Sequence, residues 1–428
     1  MRIIQFYCVK SVQVDRYLFA QYLHNKRIEY KLILYVGECM FLKNRFVILY
    51  FLIFISLLEA KSFDNLLKDA LSKDYNLKSD DIDIKKEIID GTISTRWDNP
   101  NLEVELSRFD EKLDDIDFRT SISQSVPLPS FQRDKEILSM NKVTLRKSTY
   151  RLNRAKYIKN LSLLYAEYIA QSMFYKNSIS ETDIAKDIYS LVEARELLGS
   201  VSRGELLRAK VDYSMALEAK KSIELSKQKS YYRLLNYANI SKNIKLDTSY
   251  NFKLMSNRDE NPEITIIKNS IKINNADAKV KQHIVESVSL FGEYEEDRGE
   301  GVMRFGLSLP IGINNQKKEE KQLAKLEAHK NSLKLERDET KLKISILALR
   351  EEAKILNQLQ EQNRKIISQE KILLNKFQEA YRIATINLME LQEIKNRLVS
   401  NQRRLIKIKF SKNKNSIEQN YILGAYND

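Results

Sequence analysis

Little in this sequence breaks a helix. Its 428 residues include only 10 glycines and 5 prolines, so tracts of mixed Lys, Glu, Leu, Ile and Asn run for tens of residues without a turn former, the composition of long helices. The two cysteines, Cys8 and Cys39, both precede residue 40, so the rest of the chain has no disulfide, no thiolate metal site and no cysteine to carry a lipid. Three histidines, His24, His283 and His329, stand alone, none with a second ligand at metal spacing. No glycine-rich phosphate loop and no nucleophile elbow occurs. These absences leave no cofactor and no enzyme class to argue for, and the Asp and Glu pairs read as helix-surface charges. A single apolar run, near the start, exceeds a dozen residues, which excludes a polytopic helical membrane protein. The formal net charge is +14, but Lys and Glu interleave along helices instead of gathering on one stripe, which argues against nucleic acid as a partner.

That apolar run is Phe46 to Leu58, preceded by Lys43, Asn44 and Arg45 and followed by Glu59 and Ala60. A basic flank, a stretch shorter than the ~20 residues that span a bilayer and a small residue at its end match a secretory signal peptide over 40–60, cleaved after Ala60. An uncleaved anchor is the alternative. Signal peptides open a chain, and Met40 lies just ahead of this one, so 1–39 reads as an over-extended gene start.

After Ala60 the sequence repeats its landmarks, giving a first structural repeat over 61–245 and a second over 246–428. Ser125-Val126-Pro127-Leu128-Pro129 recurs as Ser308-Leu309-Pro310-Ile311-Gly312, and Gly199 to Leu207 lines up with Ala384 to Gln392 at nearly the same offset. Upstream of each Pro landmark lie two alternating segments. Leu102, Val104 and Leu106, then Phe118, Thr120, Ile122, Gln124 and Val126 belong to the first half; Val288, Leu290 and Tyr294, then Met303, Phe305, Leu307, Leu309 and Ile311 belong to the second. Period-two patterning predicts strands, each about ten residues, the length that crosses a bilayer at a tilt. The acidic connections, Asp110 to Asp117 and Glu295 to Gly301, read as hairpin tips. Four strands cannot close a membrane barrel, and an open sheet edge is not tolerated in lipid, so strands that span a membrane require several copies in one barrel. Two soluble hairpins are the other reading of these segments.

Downstream of each landmark, Gln132 to Leu198 and Gln316 to Ile383 lack proline and carry apolar residues at helical spacing, which predicts helices ~100 Å long. The Gly199 to Gly204 and Ala384 to Leu388 stretches reverse the chain, and returning helices follow over about 205–240 and 389–412. Residues 241–261 read as an irregular band, 262–284 as a further helix, and 64–92 as its counterpart in the first half.

Several of these segments resemble known motifs. Asn99-Pro100-Asn101-Leu102 resembles the start of the first strand in the heavy-metal efflux (CzcC/CusC-like) branch of the TolC-like outer membrane efflux protein family. Ser123-Gln124-Ser125-Val126-Pro127 with Arg133 resembles that branch's strand exit, and Gly199-x-Val201-Ser202-x-x-Glu205-Leu206-Leu207-x-Ala209 resembles the family's tip. The resemblance covers about 63–410. It implies a mainly α protein with long antiparallel helical hairpins forming a periplasmic α-barrel, plus four transmembrane β-strands per protomer in a shared 12-stranded barrel of a homotrimer. It further implies an outer membrane location and no chemistry. Substrate would come from an inner-membrane pump, often of the RND type, through a periplasmic adaptor protein. A coiled-coil adaptor, a structural coiled coil and the outer membrane component of type I protein secretion are the alternatives.

The family's narrow end lies at the tips. By that alignment Glu390 and Glu393 take the positions of a paired acidic ring, Glu205 that of the first repeat's gate acid, and Tyr381 that of a gate tyrosine whose hydroxyl would latch onto a carboxylate. Ile386 stands where the family has a gate arginine, and Ala384 where the first repeat has Gly199, which implies a less sharp second turn. Gly199, Ser200, Val201 and Ser202, with Ala384, Thr385, Ile386, Asn387 and Leu388, would form the surface that receives the adaptor.

Overall fold

The structure, a computed structural model, describes residues 61–108, 116–256, 259–297, 300–311 and 316–427. The expected signal peptide, the 1–39 extension and most of the first acidic hairpin tip lie outside the described residues. The chain divides into two units. In the smaller, Lys61 forms a parallel bridge with Leu246, its N–H donating to the Lys245 carbonyl at 2.8 Å. The larger unit holds everything described below.

Each half of that unit runs helix, strand pair, long helix, returning helix. Helix α1 (Phe63–Lys73) stops at Asp74, and α2 (Tyr75–Thr95) starts there because the Asp74 carboxylate accepts from the Leu77 N–H at 2.8 Å. One buried N-cap thus divides what the periodicity presents as a single helix. Strands β1 (Asn101–Arg108) and β2 (Ile116–Pro127) lead into α3 (Pro129–Leu197) and α4 (Arg203–Tyr237). The second half comprises α5 (Pro262–Val280), β3 (Ser287–Asp297), β4 (Glu300–Ser308), α6 (Lys318–Arg382) and α7 (Leu388–Ile422). Prolines stand only at boundaries: Pro100 before β1, Pro127 ending β2, Pro129 and Pro262 opening helices, and Pro310 past β4, where each missing N–H costs nothing. At 69 and 65 residues, α3 and α6 are each ~100 Å long.

The two hairpins join through β2 and β3 into one antiparallel sheet of order β1-β2-β3-β4, leaving β1 and β4 as its edges. The register places Leu102, Val104, Ile122, Leu290, Met303, Phe305 and Leu307 on one face. Each of these side chains is at least half exposed. The opposite face carries Glu103, Glu105, Ser121, Ser123 and an ionic ladder across all four strands. Arg119 donates to Glu293 at 2.7 Å and lies 3.8 Å from Glu105, while Arg304 donates to Glu293 at 2.7 Å and also holds Glu295. The ladder ties the first hairpin to the second. On this face Phe291 packs over Gly306, where a Cβ would meet its ring at 2.5 Å. Among the described residues no helix is long and apolar enough to cross a membrane.

Helix α3 packs against α4, α7, α5 and α2, and α6 against α7 and α5. An aromatic cluster anchors the middle of α3: Phe63 meets Phe252 at 4.9 Å and Tyr165 at 5.2 Å between ring centroids, and the Tyr165 hydroxyl donates to the Asp247 carbonyl at 2.7 Å. Residues 247–256 and 259–261, within the band expected to be irregular, form no helix or strand, and side chains of α7 pin part of them. Asn413 accepts from the Phe252 N–H at 3.2 Å, and Asn420 accepts from Met255 at 2.9 Å while donating to Lys253 at 2.8 Å, as a neighbouring strand would.

Three element boundaries differ from expectation. Helix α7 continues to Ile422 instead of ending near 412, because its buried Asn413, Asn415, Gln419 and Asn420 find partners outside the helix in place of competing with its backbone. Helix α5 ends at Val280. Strand β4 ends at Ser308, so Leu309 and Ile311 fall outside it, since Pro310 cannot extend the ladder.

Candidate functional site at the helical tips

Both long helices end in the same backbone turn. At the first tip Gly199 has φ +69°, its N–H donates to the Glu196 carbonyl at 2.8 Å, and the Ser200 N–H reaches back to Arg195 at 2.9 Å. At the second, Ala384 has φ +62°, donates to Tyr381 at 3.2 Å, and Thr385 reaches Ala380 at 3.0 Å. This paired pattern is the Schellman turn, which needs a left-handed residue. The second turn is therefore as sharp as the first, contrary to the expectation from Ala384. The strain of an alanine there, about 1–2 kcal/mol, is carried by the surrounding packing.

The returning helices also start alike. The Ser202 hydroxyl accepts from the Glu205 N–H at 3.2 Å, and the Asn387 side chain accepts from the Glu390 N–H at 3.0 Å while its amide donates to the Glu390 carboxylate at 3.2 Å. Glu205 and Glu390 thus hold equivalent third positions, where a carboxylate complements the helix N-terminus.

The tips share one core. Ile188, Val192, Ala209, Leu374, Tyr381, Leu388, Leu391 and Leu398 are buried together, with Val201, Leu206, Phe377 and Ile386 packed against them. Between the tips opens a cavity of about 340 Å³ lined by Arg195, Ser200, Val201, Glu205, Tyr381, Ala384, Thr385, Ile386, Asn387 and Glu390. The structure brings Glu205, Tyr381 and Glu390 to this one cavity, while Glu393 lies exposed one turn along α7. Gly199, Ser200, Ser202, Ala384, Thr385 and Asn387 are exposed, Val201 and Ile386 half-buried. Leu388 is the exception among the expected surface residues: only 1% exposed, it is a core side chain.

The expected latch between the Tyr381 hydroxyl and a carboxylate is not formed. Tyr381 is buried and its hydroxyl has no hydrogen-bond partner among the described residues. Burial, and secondarily the Glu205 carboxylate, push its pKa up, while Arg195 acts in the opposite direction. Arg195 is the residue that sequence reasoning missed. It donates to the Tyr381 carbonyl at 2.7 Å and sets its guanidinium 4.5 Å from the Tyr381 ring centroid, so one side chain caps the end of α6 and stacks on its aromatic. A cation is present at the tips, supplied by the first repeat's long helix while Ile386 fills the core.

Further polar contacts tie α7 to three other helices. Lys395, 2% exposed, pairs with Asp212 of α4; Arg403 pairs with Glu181 of α3 at 2.7 Å; and Asn401 donates to the buried Glu370 of α6 at 2.9 Å. Among the described residues no cluster of His, Cys, Asp and Glu is placed to hold a metal ion. His283 instead pairs with Asp134 at 2.9 Å.

No protein-family model matches the chain, and no curated protein does. Solved structures match over most of its length. CusC, described in terms of transmembrane channel formation, aligns with TM-score 0.72 and 13% identity over 84% of this chain and 91% of its own. The CmeC outer membrane channel of Campylobacter jejuni aligns at 0.66 and 16% over 84% and 85%. The open state of the MtrE outer membrane channel of Neisseria gonorrhoeae aligns at 0.68 and 13% over 84% and 88%. The chain has the TolC-like outer membrane channel fold. Because α3 and α6 begin just after β2 and β4 and end at the tips, the ladder on the sheet and the cavity at the tips lie at opposite ends of these helices.

Proposed function

We propose that this protein is the outer membrane channel of a tripartite efflux system, and that 61–245 and 246–428 are its two structural repeats. The carrying observation is the four-stranded sheet, apolar and exposed on one face, polar and charged on the other, with two unpaired edges. A barrel wall in lipid has this arrangement, apolar outward and polar toward the lumen. Four strands fall short of the roughly eight a barrel needs, and unpaired edges are costly in a bilayer, so copies must join edge to edge. Three copies give twelve strands, the number the family resemblance implies, with the long helices continuing the pore through the periplasm.

In this reading Glu205, Glu390 and Glu393 from three protomers ring the narrow end and favour cations there. The exposed tip residues Gly199, Ser200, Ser202, Ala384, Thr385 and Asn387, flanked by Val201 and Ile386, receive a periplasmic adaptor. An inner-membrane pump of the RND type supplies the energy, and the channel conducts without chemistry. Fractionation tests the location and assembly together: the protein is expected in the outer membrane, released only by detergent, with the mass of a trimer. A monomer in the soluble fraction would overturn the reading.

A further inference from the structure

A polar cavity of about 420 Å³ opens beside the break between α1 and α2. Asn76, Ser79 and Asp80 from the first turns of α2, Asn153 and Asn160 from α3, and Tyr237 at the end of α4 supply its polar wall. The second repeat has a single helix, α5, where the first has the broken pair, so the repeat architecture does not itself require the cavity. Asn76, Ser79, Lys156 and Asn160 are exposed, and Asp80, Asn153 and Tyr237 are half-buried, which leaves the wall open to a ligand. The side chains of Asn76 and Ser79 have no hydrogen-bond partner among the described residues. The Asn153 amide donates to Asp80 at 2.8 Å, which turns its own carbonyl into a fixed acceptor. Tyr157, buried, stacks on Tyr237 with ring centroids 5.1 Å apart and holds that ring in place.

These groups select among ligands. An anion would meet the Asp74 and Asp80 carboxylates, and the one cation in the wall, Lys156, already lies 3.8 Å from Glu263. A metal ion would find both carboxylates engaged, Asp74 with the Leu77 N–H and Asp80 with Asn153. An apolar ligand would find Leu77 as the only aliphatic side chain in the lining. The remaining class is a neutral ligand rich in hydroxyl and amide groups. Asn and Ser side chains both donate and accept, so they pair with such groups in either sense, and a neutral ligand loses less hydration than an ion. The Tyr237 ring adds a flat surface with an apolar body and a polar tip. A sugar ring bearing acetamido and hydroxyl groups has this chemistry, and the cavity lies within the ~300–1,000 Å³ range of small-ligand sites.

Resting on the channel reading above, in which α3 passes through the periplasm, we propose that this cavity binds the N-acetylated amino-sugar strand of the cell wall. Tyr157 lies roughly 40 Å along α3 from Pro129, well clear of the sheet, so the cavity faces the periplasm and not lipid. Asn76, Asn153 and Asn160 hydrogen-bond the acetamido and hydroxyl groups, and Tyr237 packs on one face of a sugar ring. Several copies of a weak site on one channel then hold the assembly to the wall it crosses.

The test mixes the detergent-purified full-length protein with isolated cell-wall sacculi and sediments them. The protein should sediment with the sacculi, and disaccharides released from sacculi by muramidase should compete. Asn76→Ala with Asn160→Ala, both at exposed positions, should weaken binding roughly tenfold, and Asn160→Trp, which fills the cavity, should abolish it. Asn251→Ala, in a separate cavity, should leave binding unchanged, as should trimer yield in every variant. A trimer that stays in the supernatant, or sediments equally well as the double variant, would overturn the glycan site while leaving the channel reading intact. Retention on vesicles bearing lipopolysaccharide but not on sacculi would overturn the wall strand as the ligand. A soluble monomer that binds sacculi and loses binding in the double variant would uphold the site and overturn the channel reading alone.

Discussion

Replacing Arg195 with Met should loosen the second tip without unfolding the protein. Arg195 makes one charge-assisted hydrogen bond to the Tyr381 carbonyl and one stacking contact with its ring. The first contributes about 1.5–3 kcal/mol and the second about 0.5–1 where partly exposed. Met retains much of the stem packing, and the half-exposed site weakens both terms, so about 2 kcal/mol of local stability is at stake. The same carbonyl accepts from the Ala384 N–H, and the Thr385 N–H closes the adjoining turn, so these two amides report on the clamp. Two kcal/mol corresponds to about 30-fold faster hydrogen exchange at Ala384 and Thr385. Amides at the middle of α3 should be unchanged. Arg195→Lys, which keeps the charge but loses the planar fork, should fall between. Exchange at both amides changing by less than about threefold would refute the clamp.

Other perturbations read the same physics elsewhere. Gly199→Ala meets nothing within 4 Å, so its cost is backbone strain alone, about 1 kcal/mol, whereas Ala384→Gly should stabilise by a similar or smaller amount; thermal melts of the two variants should move in opposite directions. Asp212→Leu strands the buried Lys395 and should cost about 3–5 kcal/mol, while adding Lys395→Met should recover most of it, measured by denaturant unfolding. Burial pushes the Tyr426 phenol up to about 12, above its unfolded value near 10, so its contribution is complete below pH 10 and is lost as pH rises toward 12. Stability at pH 11 should therefore be lower by about 1.4 kcal/mol from this group, and Tyr426→Phe should remove that part of the alkaline decline.

The strands were legible because the apolar face and the polar face alternate residue by residue, as in Leu102-Glu103-Val104-Glu105. The long helices were legible because proline stays out of their interiors. The tips were found from Gly199 and the offset to Ala384, yet the turn at Ala384 could not be judged from residue type, since packing can hold an alanine left-handed. Arg195 was hidden because a basic residue in the last turn of a helix already has a local explanation in the helix dipole. Its true partner, Tyr381, lies 186 residues away. Asn413 and Asn420 were hidden for the opposite reason: asparagine suggests a helix end, and only the irregular segment beside α7 gives their amides backbone partners. Leu388 reads as exposed in a short turn and is buried because the two tips share one core.

The most direct test of the central claim is single-channel recording from the detergent-purified protein in a planar lipid bilayer, alongside Glu390→Gln with Glu393→Gln. Small cation-selective steps whose selectivity falls in the double variant are predicted. A folded protein that stays soluble without detergent and never conducts would contradict the account.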